Sequence, residues 1–467
     1  MITSDLFTLF GGSMKRCIVF LLVVIVFKVG LLAELLGNFT LEEAIQKVQK
    51  TNIEINIAKF DETIKALEHN AAVGQNYGSL DIKQIATRSN DAGNVFGFKL
   101  QSREATFGDF GFSPSNLASP NISQVMPSEL NYPKARNLFQ TQLEYTIPLY
   151  TGGKLEQYSN ITKALQQLSS LEKEQLVSQK IYEVKKSFYN IALLDTFIYN
   201  LKRIESNVAK LESMTNEMMK EGYAKRVDLL EVEVKTSDIK RLIQQSEANR
   251  ALLYHFLSFL LNEPVVSISG VEEDALHVSK EVDAILEHNL DIQKAQKGLE
   301  ISQMNIALQE SAFLPTVGAF AQYGSSDDKP FNDFAKHEAY TVGMQVKWNL
   351  FNGGTDKNNV EKARVENLKA SQQLLLAQKG MALHVKQIQT QMQSQEFEIQ
   401  SLKKEVELAR TIYENYLGRY GEKLVSMSDV VIKQSEEIAK VLKLKEMQNS
   451  RNEKIFELEK LASGEIQ

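Results

Sequence analysis

Long stretches of the chain carry apolar residues at helical spacing. Residues 154–262 contain no proline and a single glycine, Gly222. Apolar side chains recur there in steps of three and four, at Ile181, Val184, Phe188, Ile191, Leu194, Ile198, Leu201, Ile204, Val208 and Leu211. A similar series from Val385 to Tyr416 follows a heptad pattern, which predicts left-handed coiling. A helix over 154–221 would be about 100 Å long at about 1.5 Å per residue, so we expect long helices that pack side by side or project as a coiled coil.

Two other segments alternate between apolar and polar residues, which predicts strands with one apolar and one polar face. One runs from Phe139 to Leu149 and the other from Tyr340 to Leu350, with fainter partners at 80–86 and 316–323. Strands of about 10 residues can cross a bilayer when tilted, and a membrane barrel requires this alternation. Four strands cannot close a pore alone, so a membrane role requires oligomerisation. The alternative interpretation is a soluble sandwich.

The same order of elements occurs twice. The segment Asn52–Ile55 resembles a segment 237 positions later, whereas Leu149–Gly153 and Asp228–Leu230 resemble segments 201 positions later. We interpret the chain as a duplicated strand-strand-long-helix repeat, mainly α with β strands for the membrane. We predict a signal peptide at 1–33. The first repeat is predicted at 34–262, with helices at 40–74 and 154–262 and strands within about 79–150. The second repeat is predicted at 263–467, with helices at 281–312 and 356–462 and strands within about 314–351.

The first copy is longer than the second by 36 residues between these landmarks. The segment 94–133 is rich in Phe, Ser, Asn and Gly and holds four of the eight prolines. We interpret it as a long loop inserted in the first copy. Long ordered loops are often functional, and variable surface decoration is the alternative.

The N-terminal segment has the order of features found in secretory signal peptides. A positive region at Met14-Lys15-Arg16 precedes an unbroken apolar run at 18–27, and cleavage is predicted after Ala33. Met14 is the alternative start. The other interpretation is a membrane anchor, but a span needs about 20 apolar residues and Lys28 interrupts this run.

Composition and motifs argue against an enzyme and against a nucleic-acid-binding protein. The formal net charge of −6 gives no electrostatic case for nucleic acid. The only cysteine, Cys17, lies in the predicted signal peptide, so the mature protein would have no thiol for disulfides, catalysis or metal. The six histidines form no H-x-x-x-H pair for zinc, and there is no nucleophile elbow. We therefore predict no catalytic site, no metal and no cofactor.

Two kinds of turn separate the predicted elements. Gly152-Gly153 and Gly353-Gly354 lie between a strand and a helix, where glycine permits a positive φ. A phosphate-binding loop would need a fuller motif such as G-x-x-x-x-G-K-[ST], so we interpret both pairs as structural corners. The segments Gly222–Asp228 and Lys423–Asp429 each separate two long helices and predict the tips of two helical hairpins.

Taken together, these features resemble the TolC-type family of outer-membrane efflux proteins. The resemblance rests on Leu314-Pro315-Thr316, on the corners Leu149–Gly153 and Leu350–Gly354, and on the tips ending in Asp228-Leu229-Leu230 and Asp429-Val430-Val431. It implies a homotrimer in the outer membrane of a Gram-negative bacterium. Four strands per protomer would build a shared twelve-stranded β-barrel among the lipids, continued by a long helical barrel in the periplasm.

The implied function is an exit duct for substrates exported by an inner-membrane transporter through a periplasmic adaptor protein. Gly222 matches the family's tip glycine, whereas Lys423 occupies that place in the second copy. The resemblance implies adaptor contact at Gly222, Tyr223, Lys423 and Leu424.

The resemblance also implies a periplasmic entrance gate. Asp228 and Asp429 match the family's tip aspartates, and three-fold symmetry would make each a ring of carboxylates that attracts cations. Tyr420 would hydrogen-bond to a neighbouring helix. Ile432 stands where some members have an acidic residue. The alternative role for both aspartates is a helix-start position favoured by the helix dipole.

Two other classes of protein remain as alternatives. A structural coiled-coil scaffold would explain the long helices, and a periplasmic adaptor would explain the hairpins. Neither needs two pairs of amphipathic strands placed before the longest helices. The sequence does not indicate the exported substrate.

Overall fold

The computed structural model describes residues 38–269, 282–330 and 332–462. The predicted signal peptide at 1–33 lies outside these residues. The described chain is mainly helical, with a four-stranded sheet and a small two-stranded sheet. This confirms the predicted fold class.

The long helices repeat at a constant offset. Lys154–Lys220 and Thr355–Gly421 have 67 residues each and begin 201 positions apart, as do Arg226–Leu261 and Met427–Leu461. Three short helices, Ala92–Gln101, Pro114–Leu117 and Ser128–Asn131, lie within or beside the predicted insertion, so this segment contains regular structure. The helices are α1 (Leu41–Thr51), α2 (Ile53–Gly74), α3 (Ala92–Gln101), α4 (Pro114–Leu117), α5 (Ser128–Asn131), α6 (Lys154–Lys220), α7 (Arg226–Leu261), α8 (Val282–Glu287), α9 (Leu290–Glu310), α10 (Thr355–Gly421) and α11 (Met427–Leu461).

Six strands form the two sheets: β1 (Asn38–Thr40), β2 (Ser79–Ser89), β3 (Arg136–Tyr150), β4 (Ser267–Ser269), β5 (Thr316–Asp327) and β6 (Glu338–Lys347). β1 and β4 pair in parallel. The larger sheet is antiparallel with the order β2-β3-β5-β6. Each repeat thus contributes two strands, and within the described residues the outer edges of β2 and β6 have no strand partner.

The register gives the larger sheet one apolar and one polar face. One row across all four strands consists of Ile82, Leu143, Tyr323 and Tyr340, and the next row consists of Asp81, Glu144, Gln322 and Thr341. The apolar row is exposed, from 39% for Leu143 to 80% for Tyr340. On the polar face Lys83 forms an ion pair with Glu144. The alternation predicted for β3 and β6 therefore has the expected geometry.

The chain divides into two compact units. The helical unit comprises Met1–Glu62, Ser169–Gln296 and Gln373–Gln467, and its described part includes both hairpin tips. The sheet unit comprises Thr63–Leu168 and Lys297–Gln372, which include the four-stranded sheet and the glycine corners. Each unit takes residues from both repeats.

In the helical unit the two repeats make the same buried contact through an asparagine. Asn52 and Asn289 are both 2% exposed. The Asn52 side-chain amide donates to the Leu260 carbonyl at 2.8 Å, and that of Asn289 donates to the Leu461 carbonyl at 3.0 Å. Each side-chain oxygen also accepts a backbone N–H three residues later, at 3.1 and 3.2 Å, as an N-capping residue does. The shorter helical stretch of each repeat therefore divides at this residue.

In the sheet unit the four corner glycines adopt conformations that other residues avoid. Their φ angles are +64° and +84° at Gly152 and Gly153, and +71° and +81° at Gly353 and Gly354. A Cβ on Gly152 would also lie 2.8 Å from Leu314 Cβ and 2.9 Å from the Ser311 carbonyl oxygen. Gly152 is therefore required both by its backbone angle and by close packing.

Candidate functional site at the hairpin tips

The first hairpin tip, residues 221–225, joins α6 to α7. Gly222 has a φ of +80°. The N–H groups of Gly222 and Tyr223 donate to the carbonyls of Met219 and Met218, at 3.2 and 2.8 Å. This is the Schellman pattern, in which a residue with positive φ turns the chain and satisfies the last helical carbonyls.

The second hairpin tip, residues 422–426, follows the same path with a lysine in place of the glycine. The N–H groups of Lys423 and Leu424 donate to the carbonyls of Tyr420 and Arg419, both at 2.9 Å. Lys423 has a φ of +66°, which costs about 1–2 kcal/mol for a residue with a Cβ. Its ammonium nitrogen lies 3.7 Å from the centroid of the Tyr223 ring. This cation–π contact joins the two tips and, at about 0.5–1 kcal/mol for an exposed pair, offsets part of the strain.

Both tip aspartates cap the helix that follows their tip. The Asp228 carboxylate accepts the Lys225 backbone N–H at 2.7 Å. Asp429 accepts the backbone N–H and the hydroxyl of Ser426, at 3.1 and 2.6 Å. The Ser426 hydroxyl, and secondarily its N–H, hold the pKa of the Asp429 carboxyl below its usual range. Within one protomer the aspartates therefore have the helix-start role, and a carboxylate ring stays a prediction about the assembly.

Tyr420 lies in the core behind the tips. It is 5% exposed, and its hydroxyl is 3.4 Å from the Thr215 hydroxyl of α6. Thr215 is fully buried and donates to the Leu211 carbonyl at 2.8 Å. The hydrogen bond from Tyr420 to a neighbouring helix is thus made within the protomer. Thr215 was absent from the sequence prediction, although it continues the series of apolar positions four residues after Leu211.

The tips and the first turns of the helices that follow them expose apolar side chains to solvent. Tyr223 is 65% exposed, Val227 60% and Leu424 62%, while Ile432 on α11 is 50% exposed. Tyr223 and Leu424 are two of the four predicted adaptor-contact residues. Exposed apolar residues that cluster on a folded surface mark candidate protein contacts.

A cavity of about 320 Å³ lies between α6, α10 and α11, further from the tips. Its lining includes Gln434, Tyr413 and Glu437, and also Arg203 and Arg410. Gln434 is fully buried, and its side-chain oxygen has no hydrogen-bond partner among the described protein groups. Burial raises the pKa of Glu437, although Arg203 and Arg410 act in the opposite direction. The sequence analysis missed this polar cluster, whose signal is a glutamine at the core position that follows Val430 by four residues.

No group of three or more His, Cys, Asp or Glu side chains is arranged to hold a metal ion in residues 38–269, 282–330 and 332–462. Over the same ranges, no helix combines the length and apolar character needed for a membrane span.

Comparisons with known proteins give a family domain and a fold. Residues 282–438 match the family model described as outer membrane efflux protein, and no curated protein matches the sequence. Among solved structures, CusC matches with a TM-score of 0.75 and 14% identity, covering 90% of this chain and 91% of CusC. The CmeC outer membrane channel of Campylobacter jejuni matches at 0.70 and 15%, covering 91% and 85%. The outer membrane protein VceC of Vibrio cholerae matches at 0.72 and 14%, covering 91% and 97%. The resemblance to the TolC-type family is thus confirmed: residues 282–438 match the model of outer membrane efflux proteins, and the chain has the fold of these outer-membrane channels.

Proposed function

We propose that the protein is an outer-membrane channel, open to the periplasm, that gives exported substrates an exit duct. The four-stranded sheet is the observation that carries this proposal. Its apolar face bears Tyr340, Val342, Met344 and Val346 on β6, exposed by 67–80%. Removing one such side chain from water contributes about 1.5–3 kcal/mol. A lipid environment satisfies this face, while the polar face of the same sheet lines water.

The sheet edges support a homotrimer. The backbone groups on the outer edges of β2 and β6 need partners in a membrane, because unsatisfied groups there cost several kcal/mol each. Pairing β2 of one protomer with β6 of the next joins three sheets into one closed barrel of twelve strands. No catalytic step is part of this proposal.

Planar-bilayer conductance of the purified, detergent-extracted protein tests the channel. We expect discrete, cation-selective openings from a trimer that survives SDS without heating. A folded helical trimer that neither inserts nor conducts would instead favour a structural scaffold.

We also propose that the tips contact a periplasmic adaptor that is bound to an inner-membrane transporter. The exposed Tyr223, Val227 and Leu424 side chains support this partner class. Leu424→Glu should weaken co-purification with a periplasmic adaptor from the same cells while leaving the trimer intact. The control is Leu383→Glu, an equally exposed position on α10 (58%, against 62% for Leu424). Equal loss of adaptor in both variants, or in neither, would remove the tips from the contact.

The tip aspartates Asp228 and Asp429 would form the entrance gate. We expect Asp228→Ala and Asp429→Ala together to lower the preference for cations, because three copies of each carboxylate would surround the entrance. Asp356→Ala is the matched control, since Asp356 is also in the first turn of a long helix. Unchanged cation selectivity in the double variant would leave both aspartates with only their capping role.

A further inference from the structure

The insertion between β2 and β3 is a folded body. Asp91 caps α3, whose Val95 and Phe98 are buried at 2% and 8% exposure. Lys99 forms an ion pair with Asp109, and the Phe96 and Phe110 rings meet edge to face at 4.8 Å. These contacts give the segment a core of its own, unlike a loop of variable decoration.

The insertion is held over the polar face of the sheet. In the register Arg136 and Leu138 belong to the same face as Gln140 and Gln142. Arg136 donates to the Ser102 hydroxyl at 3.0 Å and forms an ion pair with Glu104. Leu138 is only 5% exposed, and α3 contacts both β3 and β5.

This attachment is at one end of the strands. β2 ends at Ser89 and β3 begins at Arg136, whereas the other end of β3, at Tyr150, leads into the glycine corner and α6. The insertion therefore lies at the end of these strands opposite to the glycine corner. Because the polar face lines the pore in the proposed function, the insertion lies at the outer mouth and on the pore side.

The insertion exposes large apolar side chains to solvent. Phe107, Met126 and Tyr132 are exposed by 81%, 85% and 86%. A folded surface with several such residues is typical of an interaction site. Residues 92–131 contain two cations, Lys99 and Arg103, and Lys99 is already paired. Binding to anionic lipid needs several free cations, so the surface fits protein rather than lipid headgroups.

We propose that the insertions of three copies pack against one another through this apolar surface and form a gate at the outer mouth of the channel. The inference rests on the proposed function. The occupant of the surface is a second copy of this chain, because the insertion continues directly from β2, the edge strand that would pair with the neighbouring protomer.

The size of the insertion relative to the barrel opening favours contact between the three copies. A compact ~40-residue body has a radius of gyration of about 9 Å. A twelve-stranded barrel with strands about 4.8 Å apart and tilted by about 40° has a radius of about 12 Å. Three such bodies directed into that opening must touch.

Disulfide cross-linking tests the packing, with Cys17→Ser as the background that removes the only natural cysteine. We expect Met126→Cys to give cross-linked dimers in oxidised outer membranes. Tyr340→Cys is the control, because Tyr340 is similarly exposed but on the apolar face of β6. Cross-linking of Met126→Cys no greater than that of the control, in a protein that still forms the SDS-resistant trimer, would overturn the inference.

Labelling from outside the cell tests the gate itself. Gln142→Cys, in the middle of the polar face, should react several-fold faster with a membrane-impermeant maleimide-polyethylene glycol when residues 92–131 are replaced by a short turn. Equal rates with and without the insertion, in trimers that conduct, would overturn the gate but not the channel. Loss of trimer and conductance in the unaltered protein would count against both.

Discussion

The two hairpin tips follow one backbone path with different residues at its sharpest point. Gly222 adopts a positive φ without strain, whereas Lys423 adopts it with a side chain and places its ammonium on Tyr223 of the other tip. The conformation of the second tip is thus supported partly by a residue of the first. Duplication has preserved the conformation while changing the interactions that support it.

The glycine corners differ in a similar way. All four glycines have positive φ, but among them only at Gly152 would an added Cβ come within 3 Å of neighbouring atoms, whereas a Cβ on Gly353 would meet open space. By contrast, the asparagines at 52 and 289 make the same two kinds of hydrogen bond in both copies. Equivalent substitutions at the glycine corners should therefore differ in their effect on stability, whereas equivalent substitutions at Asn52 and Asn289 should not.

The largest expected difference is at the corners. Gly152→Ala should destabilise the fold by about 2–5 kcal/mol, the sum of a left-handed backbone and overpacking. Gly353→Ala should cost about 1–2 kcal/mol, because only the backbone term applies. Thermal unfolding followed by circular dichroism measures both. Equal losses of stability would mean that Leu314 and Ser311 move aside at little cost.

The asparagines should give equal effects. Asn52→Ala and Asn289→Ala each leave a buried carbonyl without its donor, which costs about 1–3 kcal/mol. The same unfolding measurement applies, with Asn116→Ala as a control in the insertion, where the lost bond to the Gly111 carbonyl is only partly buried. A clear inequality between positions 52 and 289 would show that the two copies have different local stabilities.

The tips should show a smaller and more selective effect. Lys423→Ala keeps the strained φ and loses the cation–π contact, so it should cost about 0.5–1 kcal/mol. Lys423→Gly should be close to neutral, because relief of about 1 kcal/mol of strain offsets the lost contact. Repeating both changes in a Tyr223→Leu background isolates the coupling. If Lys423→Ala costs the same with leucine at position 223, the ring contributes nothing.

The smallest effect concerns pH and the half-buried Glu437, whose equivalent 201 positions earlier is Thr236. The pKa of Glu437 is raised above its usual value near 4.5 by burial. The folded state therefore binds this proton more tightly, and stability should fall as pH rises from about 4.5 through the raised pKa. Glu437→Thr or Glu437→Gln should flatten this part of the stability profile. The exposed Glu436→Gln variant is the control and should retain the slope.

Local patterns account for most of what could be predicted. Heptad spacing predicted the long helices, and the alternation in β3 and β6 predicted both strands and their two faces, because side-chain period follows directly from backbone geometry. The sequence patterns did not predict the breaks at Asn52 and Asn289, which separate α1 from α2 and α8 from α9. The side-chain amides of Asn52 and Asn289 each donate to a distant carbonyl, that of Leu260 or Leu461, and no local pattern contains those partners.

The sequence by itself determined the duplicated order of elements, the glycine corners and the positions of the tips, since period and turn chemistry are local properties. Only the tertiary structure decided that Tyr420 meets Thr215, that Lys423 lies on the ring of Tyr223, and that the insertion covers the polar rather than the apolar face of the sheet. These facts depend on which residues meet across more than 30 positions of the chain. That choice is made by the packing of whole helices and strands, to which each residue contributes only a small part of the free energy.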